Sequence, residues 1–496
     1  MLAILSDLHL NDGTCGALLA PGAMNLLSER LCDMAWRASW RADGSYQPID
    51  RLDLVLLGDI LDITGSQRWL AGDARPWSDI TSHAVSETTA AIVDEILRKN
   101  VDCIRTLRAL ATEATISLPP ATASGQPVLD AEEMPVAVYT HYMVGNRDWL
   151  LHLRGSQFDV IRHKIAHHLG LVTPHNRPFA HEASECDELH EALRRHRVLA
   201  RHGDIFDPLS FAEDRDAASL SDAIAIELVA KFLGHIEDQI AAELPAAAAR
   251  ALADIDQIRP ILLIPAWMES MLERTGCTLA QRSAIKRIWD YMAEQLLHLE
   301  IVRKCCAASS ADMLDGLAAA LKFSRRDSAD WTGRTLAFLN GLRGAASPSY
   351  AMHALAEADF RNRRARQIVY GHTHCHEILP LDASHADGYV LNQTYLNAGT
   401  WRRVYRPTQA LQASHEFIAA DSFTLLAFYQ GDERSGRSHE TVSGTLATSS
   451  FEPVRADAAS DIRPAGPISQ PIGATSGIRA PQFAGSSRTA AMARGY

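Results

Sequence analysis

The sequence predicts an α/β fold interrupted by a large all-helical insertion. Three observations carry that reading. Five short apolar runs each end in a polar cluster, helical periodicity fills the gaps between them, and residues 208–365 form an Ala- and Leu-rich stretch with helical spacing. Short apolar runs bounded by glycine and polar residues read as buried strands, and strands alternating with helices imply an α/β sheet.

In chain order, Leu2–Leu5 leads into Ser6-Asp-Leu-His9, and Leu52–Leu57 leads into Gly58-Asp-Ile-Leu-Asp62. A run from Val136 to Val144 leads into Gly145-Asn-Arg-Asp148, Arg197–Arg201 into His202-Gly-Asp204, and Gln367–Tyr370 into Gly371-His-Thr-His374. Helices are expected at about 22–42, 84–113 and 156–170. Ligands of α/β sheets bind beyond the carboxyl ends of the strands, where all five clusters fall.

The insertion is expected to span 208–365. Ile224, Leu228, Phe232, Ile236, Ile240 and Leu244 recur every four residues, and Ser221 is positioned to cap that helix. Further helices are expected near 279–306, 311–322, 328–343 and 350–365. The stripe is read as core; the insertion is also a candidate lid, with a groove for lipid or substrate. Strands return at Tyr389–Leu391, Thr394–Leu396 and Phe423–Tyr429, closing the core over 366–430 after its first part, 1–207. Residues 431–496 turn to Ser, Gly, Pro, Ala and Arg and are expected to form a disordered tail.

Composition narrows the function classes. The chain has 496 residues, 47% hydrophobic and 22% charged, with a net charge of −12, which disfavours broad nucleic-acid binding. No run reaches the roughly 18–20 apolar residues of a membrane helix; Ile261–Ile264 is broken by Pro265 and followed by Glu269, which leaves peripheral contact through the insertion as the membrane option. The N-terminus has neither a basic region nor a long apolar one, so a signal peptide is not expected. Eight cysteines without CxxC spacing read as reduced thiols in a cytoplasmic protein.

Taken singly, each polar cluster is a common turn or cap. Together they supply Asp7, His9, Asp59, Asn146, His202, His372 and His374: carboxylates, imidazoles and an amide, without a thiolate. That donor mix suits divalent Mn, Fe, Zn or Co, and seven side chains are too many for one tetrahedral ion but suit two ions sharing a carboxylate. Gly58, Gly145, Gly203 and Gly371 would let backbone approach the ions or adopt positive φ; ordinary turn glycines explain them nearly as well.

The ordered set DxH, GDxxD, GNxD, HGD and GHTH, over 1–207 and about 366–430, resembles the calcineurin-like metallophosphoesterase superfamily. The resemblance implies a β-sandwich flanked by helices. It also implies one ion on Asp7, His9 and His374, another on Asn146, His202 and His372, and Asp59 bridging. A water shared by two such ions would lose a proton near neutral pH, and the resulting hydroxide would attack phosphorus, so a dinuclear-metal phosphoester hydrolase is expected.

Arg147 stands where many members carry His. An arginine cannot act as a general acid near neutral pH, but its planar fork can clamp phosphate oxygens. Asn146, Arg147 and Asp148 are therefore the expected catalytic residues, Arg147 binding substrate and Asp148 orienting it by an ion pair. A leaving group that needs little protonation, as in a small diphosphate, fits best. This GNRD variant resembles the UDP-2,3-diacylglucosamine hydrolases, which carry a helical lid at the same place, although the insertion here is much longer.

Asp62 and Asp204 are candidates to brace ligand histidines, with a helix N-terminal carboxylate as an equal alternative for each. Asn397 and Thr400 are read as structural, with a phosphate contact as the alternative. Arg402, Arg403 and Arg406 are read as a solvated edge or an anion site. His141, His163, His167, His168, His175, His181, His190 and His196 are read as solvated or satisfied. A nuclease or phosphodiesterase, a protein phosphatase (although the RG that would follow Asp62 is missing), and a non-catalytic scaffold of the same fold are the alternatives.

Overall fold

The computed structural model describes residues 1–449 except 21, 175, 212, 310–311, 326–330, 343–348, 387–388 and 409–416. Its first strands and helices follow the apolar pattern: β1 Leu2–Leu5, α1 Ala23–Ala38, β2 Arg51–Leu57, α2 His83–Lys99, α3 Val101–Thr112, β3 Ser117–Leu118, β4 Met134–Pro135, β5 Ala137–Met143, α4 Ser156–Leu169, α5 Asp187–Arg195 and β6 Val198–Ala200. After the insertion come β7 Gln367–Tyr370, β8 Glu377–Ala386, β9 Tyr389–Asn397, β10 Arg403–Pro407, β11 Phe417–Phe428 and β12 His439–Ser449.

The strands form two main sheets. One runs β10-β11-β1-β2-β5 with β12 also on β11, and the other β6-β7-β9-β8. Strands β1, β2 and β5 are parallel, as are β6, β7 and β9. Side chains alternate across a strand, and the cores obey that rule. Leu2, Ile4, Val55, Leu57, Leu426 and Phe428 of the first sheet share one core with Val198, Ala200, Val369 and Leu396 of the second. The intervening Ala3, Leu5, Leu54 and Leu56 pack instead with α1–α4. Ile368, Tyr370 and Tyr395 turn outward against Tyr350 and Ala354. The result is a mixed α/β architecture with helices outside two facing sheets.

The insertion forms helices as its periodicity requires, among them Ile264–Arg274, Leu279–His298, Met313–Leu321 and Trp331–Leu342. Its own core closes over Tyr405, Phe417 and Ala419 of β10 and β11. None of the helices among the described residues is long and apolar enough to cross a membrane.

Several expectations are corrected. The helix expected at 84–113 is two helices, broken at Asn100, whose side-chain amide donates to the carbonyls of Asn11 and Ile96. Ser219, not Ser221, caps the first insertion helix, in a capping box with Asp222. The four-residue recurrence passes through a π-helix, Ile224–Ala230, before α-helix Lys231–Gln239. A strict step of four overshoots an α turn and undershoots the wider π turn, so it follows their mixture. The tail expected from 431 does not hold for 439–449: β12 pairs antiparallel with β11 from His439↔Phe428 to Ser449↔Ala419. Its β-branched Thr441, Val442 and Thr445 suit an edge strand despite the polar composition. Residues 450–496 of the expected tail lie outside the described residues.

Candidate metal centre

All seven donor residues lie beyond the carboxyl ends of β1, β2, β5, β6 and β7, and the fold brings them together. Asp7, His9 and His374 place ligand atoms within 4.8 Å of one another, and Asp59, His202 and His372 do the same. The Nε2 atoms of His9 and His374 are 3.0 Å apart. His374 Nε2 is 3.1 Å from Asp7 Oδ1, and His9 Nε2 is 3.6 Å from the same oxygen. Asp59 Oδ2 lies between the groups, 3.7 Å from His9 Nε2 and 3.4 Å from His202 Nε2. Asn146 Oδ1 is 2.9 Å from His372 Nδ1.

The donors suit cations. Asp7 Oδ1 and His202 Nε2 are buried without a hydrogen-bond partner, although buried polar atoms are normally paired. His202 Nδ1 lies 3.0 Å from the Leu57 carbonyl; a proton donated there leaves Nε2, facing Asp59, as the atom that would meet a cation once its own proton is lost. Eleven described residues other than glycine have positive φ, and five of them are Asp7, His9, Asp59, His372 and His374. Such strain persists only where the surroundings enforce it, and it clusters at functional sites. Two glycines make room for Asp59 and His202. A Cβ on Gly145 would lie 2.4 Å from Asp59 Oδ1 and 2.7 Å from His202 Nε2, and one on Gly58, at φ 77°, would strike the His202 ring at 2.6 Å.

Charge coupling is strong. Burial disfavours the Asp7 carboxylate, but His374 and His202 outweigh it and hold Asp7 well below the usual range. Asp59 is likewise drawn down to about 2, against burial, by His202 and His9. Burial also opposes a charge on His202, yet Asp59 and Asp7 push it up to about 10. His374 goes the other way: burial outweighs Asp7 and lowers it to about 3.

Supporting residues divide as follows. Asp62 Oδ2 is 3.5 Å from His9 Nδ1, and its Oδ1 accepts from Gly65 N at 3.0 Å, so it braces His9. Asp207, not singled out from the sequence, places Oδ2 3.1 Å from His372 Nε2. It sits at the end of the turn Asp204–Phe206, away from any strand end, so strand-end reasoning passed over it. Asp204 is held instead by Arg215 at 3.0 Å. Thr400 donates to the Asp7 carbonyl at 2.7 Å and Asn397 to the Gly371 carbonyl at 3.0 Å, consistent with a structural role.

The expected Arg147–Asp148 ion pair does not form. Asp148 accepts from the backbone of Ile60 and Gly145 at 3.0 and 2.6 Å and from Tyr142 Oη at 2.6 Å. It therefore ties the loops after β2 and β5 together, and burial with Asp59's charge pushes its carboxyl up to about 7. Arg147 donates its backbone N–H to Asp59 Oδ1 at 2.7 Å and turns its side chain into a cavity of about 290 Å³ that Asp59, Asn146, His372 and His374 also line. Asp62 and Asp59 keep its guanidinium charged despite burial.

Arg402 is neither a solvated edge nor an anion site. It is buried and donates to the carbonyls of His9 and Ala17 at 2.7 and 2.6 Å. Arg403 pairs with Asp421 and Asp254, while Arg406 is exposed. Among the histidines, His141 Nε2 lies 3.0 Å from Asp53 Oδ1 and His196 Nδ1 lies 2.8 Å from the Ala192 carbonyl. His163, His167, His168 and His190 are exposed. His181 departs from the expectation, being buried with both ring nitrogens unbonded. His175 lies outside the described residues.

Comparison with family models and with curated proteins finds no match.

Proposed function

We propose that the chain is a dinuclear-metal phosphoester hydrolase with the β-sandwich fold of the calcineurin-like metallophosphoesterases. One observation carries the reading: seven donors from five strand ends converge as two groups around Asp59, with orphaned ligand atoms and enforced positive φ. The first cation would rest on Asp7, His9 and His374, the second on Asn146, His202 and His372, with Asp59 between. Two divalent cations there would supply an activated water and neutralise charge on the phosphoryl oxygens.

The remaining chemistry belongs to the chain. Asp62 and the Leu57 carbonyl orient His9 and His202, so little reorganisation is needed as charge develops. Arg147 supplies fixed donors to phosphoryl oxygens from a site closed to most solvent. It does not protonate the leaving group, which favours a phosphate-like leaving group over an alkoxide. The test is a metal-supplemented screen of monoesters, diesters, cyclic nucleotides and diphosphates. Metal-dependent turnover that rises as the leaving group becomes more acidic supports the reading; protein that binds no divalent metal, or hydrolyses equally without it, overturns it.

A further inference from the structure

The insertion adds a second guanidinium to the cavity over the donor cluster. Arg147, from the loop after β5, is 6% exposed and has an Nη1 with no hydrogen-bond partner. Arg259, from the insertion, lines the same cavity, and its Nη1 donates to the carbonyls of Asp256 and Ile258.

Among the described residues, neither guanidinium has a carboxylate within ion-pair distance; Asp62, Asp59 and Asp222 act on Arg147 only from farther away. Asp256 faces Arg402 at 3.7 Å and the Gln257 amide at 2.6 Å. Asp62 faces His9, and Asp59 accepts from the backbone of Arg147. Like charges in one partly desolvated cavity repel unless an anion joins them. Two divalent cations on a ligand set with two carboxylates, Asp7 and Asp59, leave a surplus of two positive charges. One phosphoryl dianion offsets that surplus, so it brings no charge to spare for the two guanidiniums.

We propose that Arg259 is a specificity-determining residue supplied by the insertion, and that the substrate carries a second anionic group, next to the phosphoryl group that is cleaved, held between Arg147 and Arg259. This rests on the metal-dependent reading above. It gives the insertion a chemical task, since the core alone contributes one of the two guanidiniums.

The test compares imidodiphosphate, a non-hydrolysable pair of adjacent phosphoryl groups, with orthophosphate on the full-length manganese-loaded protein, by calorimetry. Arg259→Gln is expected to weaken imidodiphosphate about tenfold or more and orthophosphate by less than about threefold. Arg259→Lys, which keeps the charge but loses the fork, is expected to fall between. Should these variants fail to fold, phenylglyoxal labelling of the unaltered protein answers the same question: imidodiphosphate should slow modification of Arg259, read by mass spectrometry. Unchanged imidodiphosphate affinity, equal weakening of both anions, or unprotected Arg259 overturns the proposal. Metal content measured on the same samples separates the failures. Full metal with no effect at Arg259 removes only this inference, whereas a chain that holds no metal removes the hydrolase reading and this inference with it.

Discussion

Asp59 is the residue on which both donor groups depend, because its carboxylate faces His9 and His202 at once. Asp59→Ala should cut bound metal from two ions per chain to fewer than one and lower phosphoesterase activity by about 10²-fold or more, with metal content read by elemental analysis. Gly145→Ala tests the same centre by volume. The added methyl would meet Asp59 and His202, so overpacking of about 1–3 kcal/mol should fall on metal affinity rather than on global stability. His202 gives a pH signature. Without cations it is pushed up to about 10 and is protonated at pH 7, so a bound metal must displace that proton. Metal uptake should release about one proton per chain from this site and weaken as pH falls, which calorimetry in buffers of different ionisation enthalpy measures. Equal heats in all buffers would count against the assignment. At this scale the convergence of the candidate donors was legible because strand-end motifs announce them. The partner of Arg147 was not: neighbours in sequence leave a loop in different directions, so adjacency gave a pairing with Asp148 that the fold does not make.

Among the elements, the β2–β5 pair carries a buried charge cluster. Asp53 is 1% exposed and accepts from Arg51, from Arg195 and, on the neighbouring strand, from His141. Burial opposes its charge, but His141 and Arg51 outweigh burial and hold the carboxyl below the usual range. A depressed folded-state pKa gives stability that is present above the unfolded value and lost as pH falls toward the folded one. Asp53→Asn should therefore destabilise the fold by about 3–5 kcal/mol at neutral pH and flatten the acid side of its stability profile, as urea titrations across pH would show. The apolar strands β1, β2, β5, β6 and β7 were legible because burial on both faces leaves continuous runs. Strands β8, β10 and β12 were not, because edge or hairpin strands mix polar and apolar residues and owe their place to a partner that one segment does not reveal.

For the whole molecule, β12 and the insertion change what truncation should do. A chain ending at residue 436 loses one of the partners of β11 and bares an edge next to β1, so it should melt at lower temperature and aggregate more readily, by calorimetry and light scattering. The insertion is tied to the core through Arg403–Asp254 at 2.9 Å and Arg402–Gln257 at 3.3 Å, so excising it should unsettle the His9 loop as well as alter substrate choice. The α/β class and the helical character of 208–365 followed from periodicity. The insertion's share in the cavity wall did not, because composition does not say which face a helical segment presents.

The central position of β1 has a bearing on biosynthesis. It lies between β2 and β11, paired at Leu2↔Phe428 on one side and Leu2↔Asp53 on the other. Translation delivers those two flanks far apart in time, so the first strand must wait half-covered while most of the polypeptide leaves the ribosome. Cations at the candidate centre would need Asp7 beside His374 and could load only after residue 374 had emerged, and a product terminated before that point would expose a sticky apolar strand.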